Sequence, residues 1–93
     1  MSAKSARHMG RVAKLGCILC SIHFGVEDTP AEVHHVREDM GAMGRDDFLT
    51  IPLCPEHHRG KSGYHGLGKK GFYLAYKMDE LFLLARVNER LSP

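Results

Sequence analysis

Two short pairs of cysteine and histidine constrain this sequence more than any other feature. Two residues separate Cys17 from Cys20, and two residues separate Cys54 from His57. This spacing lets two side chains converge on one ion, and three sulfurs with one imidazole nitrogen suit tetrahedral Zn²⁺ at a closed structural site. The sequence therefore predicts a structural zinc that joins the N-terminal segment to the middle of the chain.

The alternatives for these residues are a redox-active CxxC pair and a buried apolar thiol at Cys54. The zinc interpretation uses all three cysteines of the chain, and an odd number cannot pair completely in intramolecular disulfides. Seven histidines accompany them. This composition favours metal binding over a disulfide framework, and it indicates a reducing, cytoplasmic compartment.

The length of the chain predicts a single domain over residues 1–93, with a core over residues 11–78 and a C-terminal packing helix over residues 79–91. A domain of this size buries only about 60% of its unfolded surface, so a metal would add needed stability. No secretory signal is apparent, and no apolar run approaches the ~18 residues that span a bilayer. We expect no membrane partner.

Basic residues concentrate in two segments without acidic residues, 1–16 and 59–70, although the net charge is only +2. Such segments would steer a phosphate backbone toward a site between them. Arg59 and Lys61 directly follow the second metal pair, and they are the candidates for nucleic-acid contacts. A merely solubilising surface fits the charge alone equally well.

A second group of histidines remains once the two metal pairs are assigned. His34 and His35 are adjacent on a predicted strand, so their side chains point to opposite faces. His58 follows the second metal pair directly, and His65 lies beyond two glycines in a predicted loop. Imidazoles can hold a divalent ion with open positions, and they can act as a base near neutral pH. Two other histidines are expected to be ordinary surface or core residues: His8 and His23.

The apolar pattern predicts a small α+β fold. Residues 1–4 are expected to fray, and Asp79 is expected to cap the last helix. Glycines are expected to end the short helix that follows Pro55. The predicted elements, in chain order, are a helix at 5–15, a loop at 21–31, a strand at 31–36, a loop at 37–47, a strand at 48–53, a short helix from 55, a glycine-rich stretch at 60–68, helical turns at 72–78 and the helix at 79–91.

These residues together resemble the zinc-bearing HNH endonucleases, which have a ββα-metal core. They resemble more closely the phage recombination-enhancement, RecA-dependent Ref-like nucleases. The likeness covers roughly residues 11–78. It rests on the segment from Arg11 to Cys20, the His34-His35 pair, the run from Ile51 to Cys54 that leads into His57-His58, and the glycine-rich stretch to His65.

The resemblance implies a treble-clef-like core with a zinc knuckle, a short β-hairpin and flanking helices. It implies hydrolysis of DNA phosphodiester bonds with one divalent ion, Mg²⁺, Mn²⁺ or Zn²⁺, besides the structural Zn²⁺. His34 and His58 would bind the catalytic ion, His65 is a candidate further ligand, and His35 would be the general base. DNA and a RecA-type recombinase filament are the implied partners, in a phage or prophage.

One position departs from the HNH pattern. Those nucleases usually carry an asparagine before the knuckle cysteine that helps to orient the base, and by spacing this position is Leu49. Asp47, Thr50 or a backbone group would have to replace it. The competing hypothesis is a non-catalytic zinc module that binds DNA or a protein. Such a module needs the cysteine site and the basic segments, but not the second histidine group.

Overall fold

A computed structural model describes residues 2–38 and 45–93 as a two-stranded sheet surrounded by helices. This confirms the prediction of a small α+β fold. No helix in the described part is long and apolar enough to cross a bilayer. The elements are α1 (Ala3–Lys14), α2 (Ile18–Phe24), β1 (Glu32–His35), β2 (Thr50–Leu53), α3 (Pro55–Arg59), α4 (Tyr64–Tyr76) and α5 (Glu80–Leu91).

The sheet pairs β1 with β2 in antiparallel register, so that Glu32 lies opposite Leu53 and His35 lies opposite Thr50. All four residues of β2 are buried. This strand is central because α1, α2 and α5 all pack on it. The apolar residues of β2 are therefore covered on both faces of the sheet. Cys54 directly follows this strand and lies in the core.

The core is assembled from nearly every element, and the three cysteines are part of it. Burial of large apolar side chains is the main favourable term for a chain of this length. The side chains that are less than 2% exposed include Val12 of α1, Leu19 of α2, Ile51 and Leu53 of β2, Phe72 of α4, and Leu83 and Val87 of α5.

Side-chain caps begin three of the helices. Ser2 Oγ accepts a hydrogen bond from Ser5 N at 3.0 Å, and Cys17 Sγ accepts one from Cys20 N at 3.4 Å. Asp79 Oδ1 accepts from Phe82 N at 2.8 Å, which confirms the predicted cap of the last helix. Each cap satisfies a backbone donor that the first helical turn leaves open.

Two predictions near the N-terminus were wrong. Residues 3 and 4 were expected to fray, but they are helical because the Ser2 cap starts α1 there. Residues 21–24 were expected to be a loop, but they complete α2, which ends at Gly25 with a left-handed φ of 69°. A helix of seven residues is too short to show a clear period in sequence.

The glycine-rich stretch was also predicted incorrectly, because α4 begins at Tyr64 and places His65 on a helix. A Cβ at Gly66 would collide with the backbone carbonyl of Gly60, and a Cβ at Gly63 would collide with that of Glu56. These glycines let α3 and α4 approach closely and do not form a loop. Gly68 alone is non-helical, with φ 79°, and it kinks α4.

The strand boundaries are tighter than predicted, since β1 covers 32–35 and β2 covers 50–53. Residues 48 and 49 were expected to belong to the second strand, but they precede it as turn and bend. The predicted loop at 37–47 includes residues 39–44, which lie outside the described part of the chain.

Candidate metal centre and histidine site

The two metal-ligand pairs converge where β2 passes into α3. Their four ligand atoms all lie within 4.8 Å of one another. His57 Nδ1 is 3.3 Å from Cys54 Sγ, 3.5 Å from Cys20 Sγ and 3.9 Å from Cys17 Sγ. The sulfurs of Cys20 and Cys54 are 3.9 Å apart. A tetrahedral zinc with Zn–S bonds of about 2.3 Å would separate its sulfurs by about 3.8 Å, so the donor set fits such an ion.

Local structure explains this convergence. Cys17 and Cys54 are N-cap residues of α2 and α3, and their partners lie three residues later, on the same side of the first turn. Gly16, with φ 78°, turns the chain into α2, and a Cβ there would lie 3.0 Å from Asp28 Cα. Cys17 N then donates to Thr29 O at 2.9 Å, which fixes the start of the helix.

Burial shifts the pKa of two groups in this cluster. Burial, with a hydrogen bond to Cys17, raises the pKa of the Cys20 thiol to about 12. A bound cation would reverse this shift by stabilising the thiolate. Burial lowers the pKa of His57, which keeps its imidazole neutral and its lone pair available. The four residues therefore form a site that could hold a metal ion.

Three histidines form a second cluster, to which three different elements contribute. His34 comes from β1, His58 from α3 and His65 from α4, and their ligand atoms lie within 4.8 Å of one another. The ring centroid of His34 is 5.1 Å from that of His58 and 5.3 Å from that of His65, and those of His58 and His65 are 4.9 Å apart. His34 is buried and His65 is exposed, so the cluster opens to solvent on the His65 side.

Two carboxylates orient this cluster, and no local pattern in the sequence predicts either of them. Glu80 Oε2 lies 2.5 Å from His34 Nε2, and Glu32 Oε1 lies 2.8 Å from His58 Nδ1. Each pair leaves the other ring nitrogen free to bind an ion. Metal-ligating histidines usually have their second nitrogen held in this way.

Glu80 is almost completely buried and remains ionised. Burial opposes its charge, but hydrogen bonds from His34 and from the backbone N–H groups of Arg37 and Glu38 outweigh burial and lower its pKa. Burial and the neighbouring His34 and His58 lower the pKa of His65. The lowered pKa favours the neutral imidazole of His65, whose lone pair is then available for a cation.

His35 lies outside the three-histidine cluster, as expected for the next residue of a strand. Its Nε2 is 2.8 Å from Asp47 Oδ1, and its side chain is 15% exposed. The hydrogen bond from His35 lowers the pKa of Asp47, and the Ser5 side chain of α1 contributes a smaller lowering. Of the replacements considered for the HNH asparagine, Asp47 is the one whose side chain contacts His35. Thr50 Oγ1 instead donates to the backbone oxygen of Asp47 at 3.3 Å.

The two candidate nucleic-acid contacts differ in their surroundings. Arg59 pairs with Glu32, with Nη2 2.8 Å from Oε2, beside His58. Hydrogen bonds from Arg59, and to a smaller extent from His58, lower the pKa of Glu32 to about 2. Lys61 is exposed.

The two histidines expected to be ordinary residues belong to neither described cluster, although Phe24 and Tyr76 both lie between His23 and His57. His8 packs on Phe48, with ring centroids 5.1 Å apart, and His23 packs on Phe24 and Tyr76.

Comparison with known proteins places the chain in a family. No curated protein matches the sequence. The model of the family described as recombination enhancement, RecA-dependent nuclease matches residues 1–91. The match spans both clusters and nearly the whole chain, and it confirms the resemblance to the RecA-dependent nucleases. The chain belongs to the recombination-enhancement, RecA-dependent nuclease family.

Proposed function

We propose that this protein is a metal-dependent DNA endonuclease of the HNH type that hydrolyses phosphodiester bonds. The observation that carries the proposal is the convergence of His34, His58 and His65 apart from the Cys₃His cluster. A zinc module that only binds DNA or protein needs the Cys₃His cluster and the basic segments, but not these histidines. The family assignment supports nuclease activity in recombination.

The proposed fold is the treble-clef-like ββα-metal core of HNH nucleases. Three features support it: the antiparallel pairing of β1 with β2, the direct passage from β2 into α3, and the adjacent histidines His57 and His58 on that helix. The helix thereby contributes one residue to each cluster.

Two ions are part of the proposal. The Cys₃His cluster would hold a structural Zn²⁺, which needs reduced thiols, so we place the protein in the cytoplasm. His34, His58 and His65 would hold a catalytic Mg²⁺, Mn²⁺ or Zn²⁺, and three imidazoles favour the softer ions among these. When bound, the divalent ion supplies positive charge to the scissile phosphate and the leaving oxygen.

The side chains of this protein would perform the proton transfer. His35 takes a proton from the attacking water, because its Nε2 is held by Asp47 and its Nδ1 is left to accept. The Asp47 carboxylate stabilises the imidazolium that forms. Arg59 and Lys61 add positive charge next to His58 for the phosphate oxygens.

Plasmid nicking tests the proposal. Purified protein with Mg²⁺, Mn²⁺ or Zn²⁺ should convert supercoiled DNA to open circles. His35→Ala should lower the rate by about 10²- to 10⁴-fold, the usual contribution of a general base. His23→Ala is the matched control, since this exposed histidine lies outside both clusters, and it should nick at the wild-type rate.

Each reaction should be repeated on DNA coated with a RecA-type filament. The family description leads us to propose that such a filament is the partner that enables or enhances cleavage. Absence of nicking under every condition would favour the non-catalytic module. Full activity of His35→Ala would remove His35 from the mechanism.

A further inference from the structure

The exposed face of α4 carries a groove that the proposed chemistry does not use. Its volume is about 450 Å³, within the range of small-molecule sites. Two i, i+4 pairs on α4 form one side, because residues at this spacing share a helix face. The groove is lined by Glu38, Lys69, Lys70, Tyr73, Leu74 and Asp79.

The groove combines an exposed aromatic ring with positive charge. Tyr73 is 49% exposed and Leu74 is 58% exposed, although both are large apolar side chains. Aromatic rings beside lysines are typical of surfaces on which unpaired bases stack while the phosphates contact the ammonium groups.

The charge of the surrounding segment favours a polyanion. Residues 57–78 contain five lysines and arginines and no acidic residue. Both carboxylates of the groove are already engaged, since Glu38 Oε1 is 3.0 Å from Lys69 Nζ and Asp79 caps α5. Among the described residues, no carboxylate lies within 4.0 Å of the Lys70 ammonium group.

The groove adjoins the histidine cluster. Glu38 N donates a hydrogen bond at 2.9 Å to Glu80, the carboxylate that holds His34. This bond connects a lining residue of the groove to the histidine cluster. The same helix carries His65 at its start and Tyr73 eight residues later. The kink at Gly68 lies between these two positions, and α4 connects the cluster to the groove.

We propose that this groove binds an unpaired nucleotide of the DNA substrate, with its base stacked on Tyr73 and its phosphate on Lys70. The inference deepens the proposed function and rests on it for the identity of the ligand. A duplex would not fit in the same way, because its bases are stacked within the helix and offer no free face. A protein surface is the competing occupant, and the experiment below separates the two.

The test is fluorescence anisotropy in the His35→Ala background without added divalent ion, so that binding is measured apart from cleavage. The probes are a labelled oligothymidine, the same strand with abasic sites, and a duplex of equal length. Tyr73→Ala should weaken binding of oligothymidine by about 5- to 100-fold, the usual contribution of one stacked base. It should leave binding of the abasic strand unchanged.

A second variant tests the phosphate contact. Lys70→Gln should reduce the slope of log K against log salt concentration by about 0.7, the value for one phosphate contact to a single strand. Phe82→Ala and Arg90→Gln are the matched controls, an exposed aromatic and an exposed arginine of α5, outside the groove and both basic segments. Both should bind the oligothymidine as the parent does, and all variants should keep the parent's circular dichroism and melting temperature.

Equal affinity of Tyr73→Ala and the parent for oligothymidine would overturn the proposal. So would an equal loss on the duplex or on the abasic strand. Unchanged DNA binding with weaker binding to a RecA-type filament would make the groove a protein-docking surface and also overturn it. If wild type does not nick DNA while the Tyr73 effect persists, the hydrolysis proposal fails and the groove stands.

Discussion

The buried carboxylate of Glu80 provides the sharpest test of the histidine cluster. Its Oε1 accepts from Arg37 N at 3.1 Å and from Glu38 N at 2.9 Å. Its Oε2 faces His34 Nε2 and shares the Arg37 N–H at 3.2 Å. Glu80→Gln keeps the volume but turns one oxygen into an NH₂ group, which only donates. The amide oxygen should stay with the two backbone N–H groups, so the NH₂ group should face His34.

This orientation has a chemical consequence for the ring. Facing an NH₂ donor, His34 Nε2 must accept, so the proton of the neutral imidazole moves to Nδ1. Since Nε2 is occupied by residue 80, Nδ1 is the nitrogen that would ligate an ion, and protonation removes its lone pair. The affinity of the cluster for a divalent ion should fall about 10- to 100-fold.

The loss of stability should be of similar size in free energy. The variant exchanges hydrogen bonds to a charged acceptor for hydrogen bonds to a neutral one without leaving a cavity, which costs about 1–3 kcal/mol of unfolding free energy. Urea denaturation measures this loss, and calorimetric titration with Mn²⁺ or Zn²⁺ measures the affinity. Nitrogen chemical shifts of the histidine rings report the tautomer directly.

Glu89→Gln is the matched control, because Glu89 is exposed on the same helix and pairs only with Arg86 among the described residues. It should bind divalent ions as wild type does. If Glu80→Gln keeps the wild-type affinity, or keeps the proton of His34 on Nε2, the assignment of His34 as a ligand held by Glu80 is refuted.

Three further predictions concern zinc, close packing and the base. Removing zinc by chelation, or replacing Cys54 with Ser, should unfold the chain in circular dichroism, because structural zinc contributes about 10 kcal/mol or more and net stabilities are about 5–15 kcal/mol; a native apo spectrum would contradict this. Gly66→Ala should lower the unfolding free energy by about 1–3 kcal/mol in urea, since its Cβ meets a backbone carbonyl. Gly10→Ala, where nothing lies within 4 Å, should be neutral or stabilising by up to about 1 kcal/mol, and equal effects would contradict the packing argument. Asp47→Ala should lower the kcat of nicking about 10- to 100-fold with little change in KM. Asp47→Asn should retain most activity, because the amide oxygen accepts the same His35 proton, and equal losses in the two variants would contradict this role.

The Cys₃His cluster could be predicted from sequence because its geometry is largely local. Residues i and i+3 at the start of a helix face the same side, so Cys17-Cys20 and Cys54-His57 each form half of the site before the chain folds. Only the meeting of the halves is non-local. The two pairs together account for all three cysteines of the chain, which strongly favours one shared site.

The second cluster was only partly predictable. Its three histidines were candidates, but His65 was expected in a loop because glycines usually end helices. Gly63 and Gly66 instead permit the close contact of α3 with α4 that brings His65 toward the other two. From sequence, a glycine that breaks a helix cannot be distinguished from one that lets two helices touch.

The carboxylates could not be predicted at all. Glu80 reaches His34 across 46 positions, and Glu32 reaches His58 across 26. Each follows from tertiary packing, and exposed acidic residues are common enough that no local pattern distinguishes these two. Asp47 was among the residues considered because it lies close in sequence to the missing asparagine position.

The adjacency of His57 and His58 links the two clusters physically. Successive residues of a helix point about 100° apart, so a helix fixed through His57 also fixes the direction of His58. Strand β1 contributes the remaining contacts to His58, because Glu32 and His34, at i and i+2, lie on the same face of that strand. Glu32 holds His58 while His34 joins it in the cluster. A metal bound to the cysteines would therefore order the second site through α3 alone, without sharing a ligand with it.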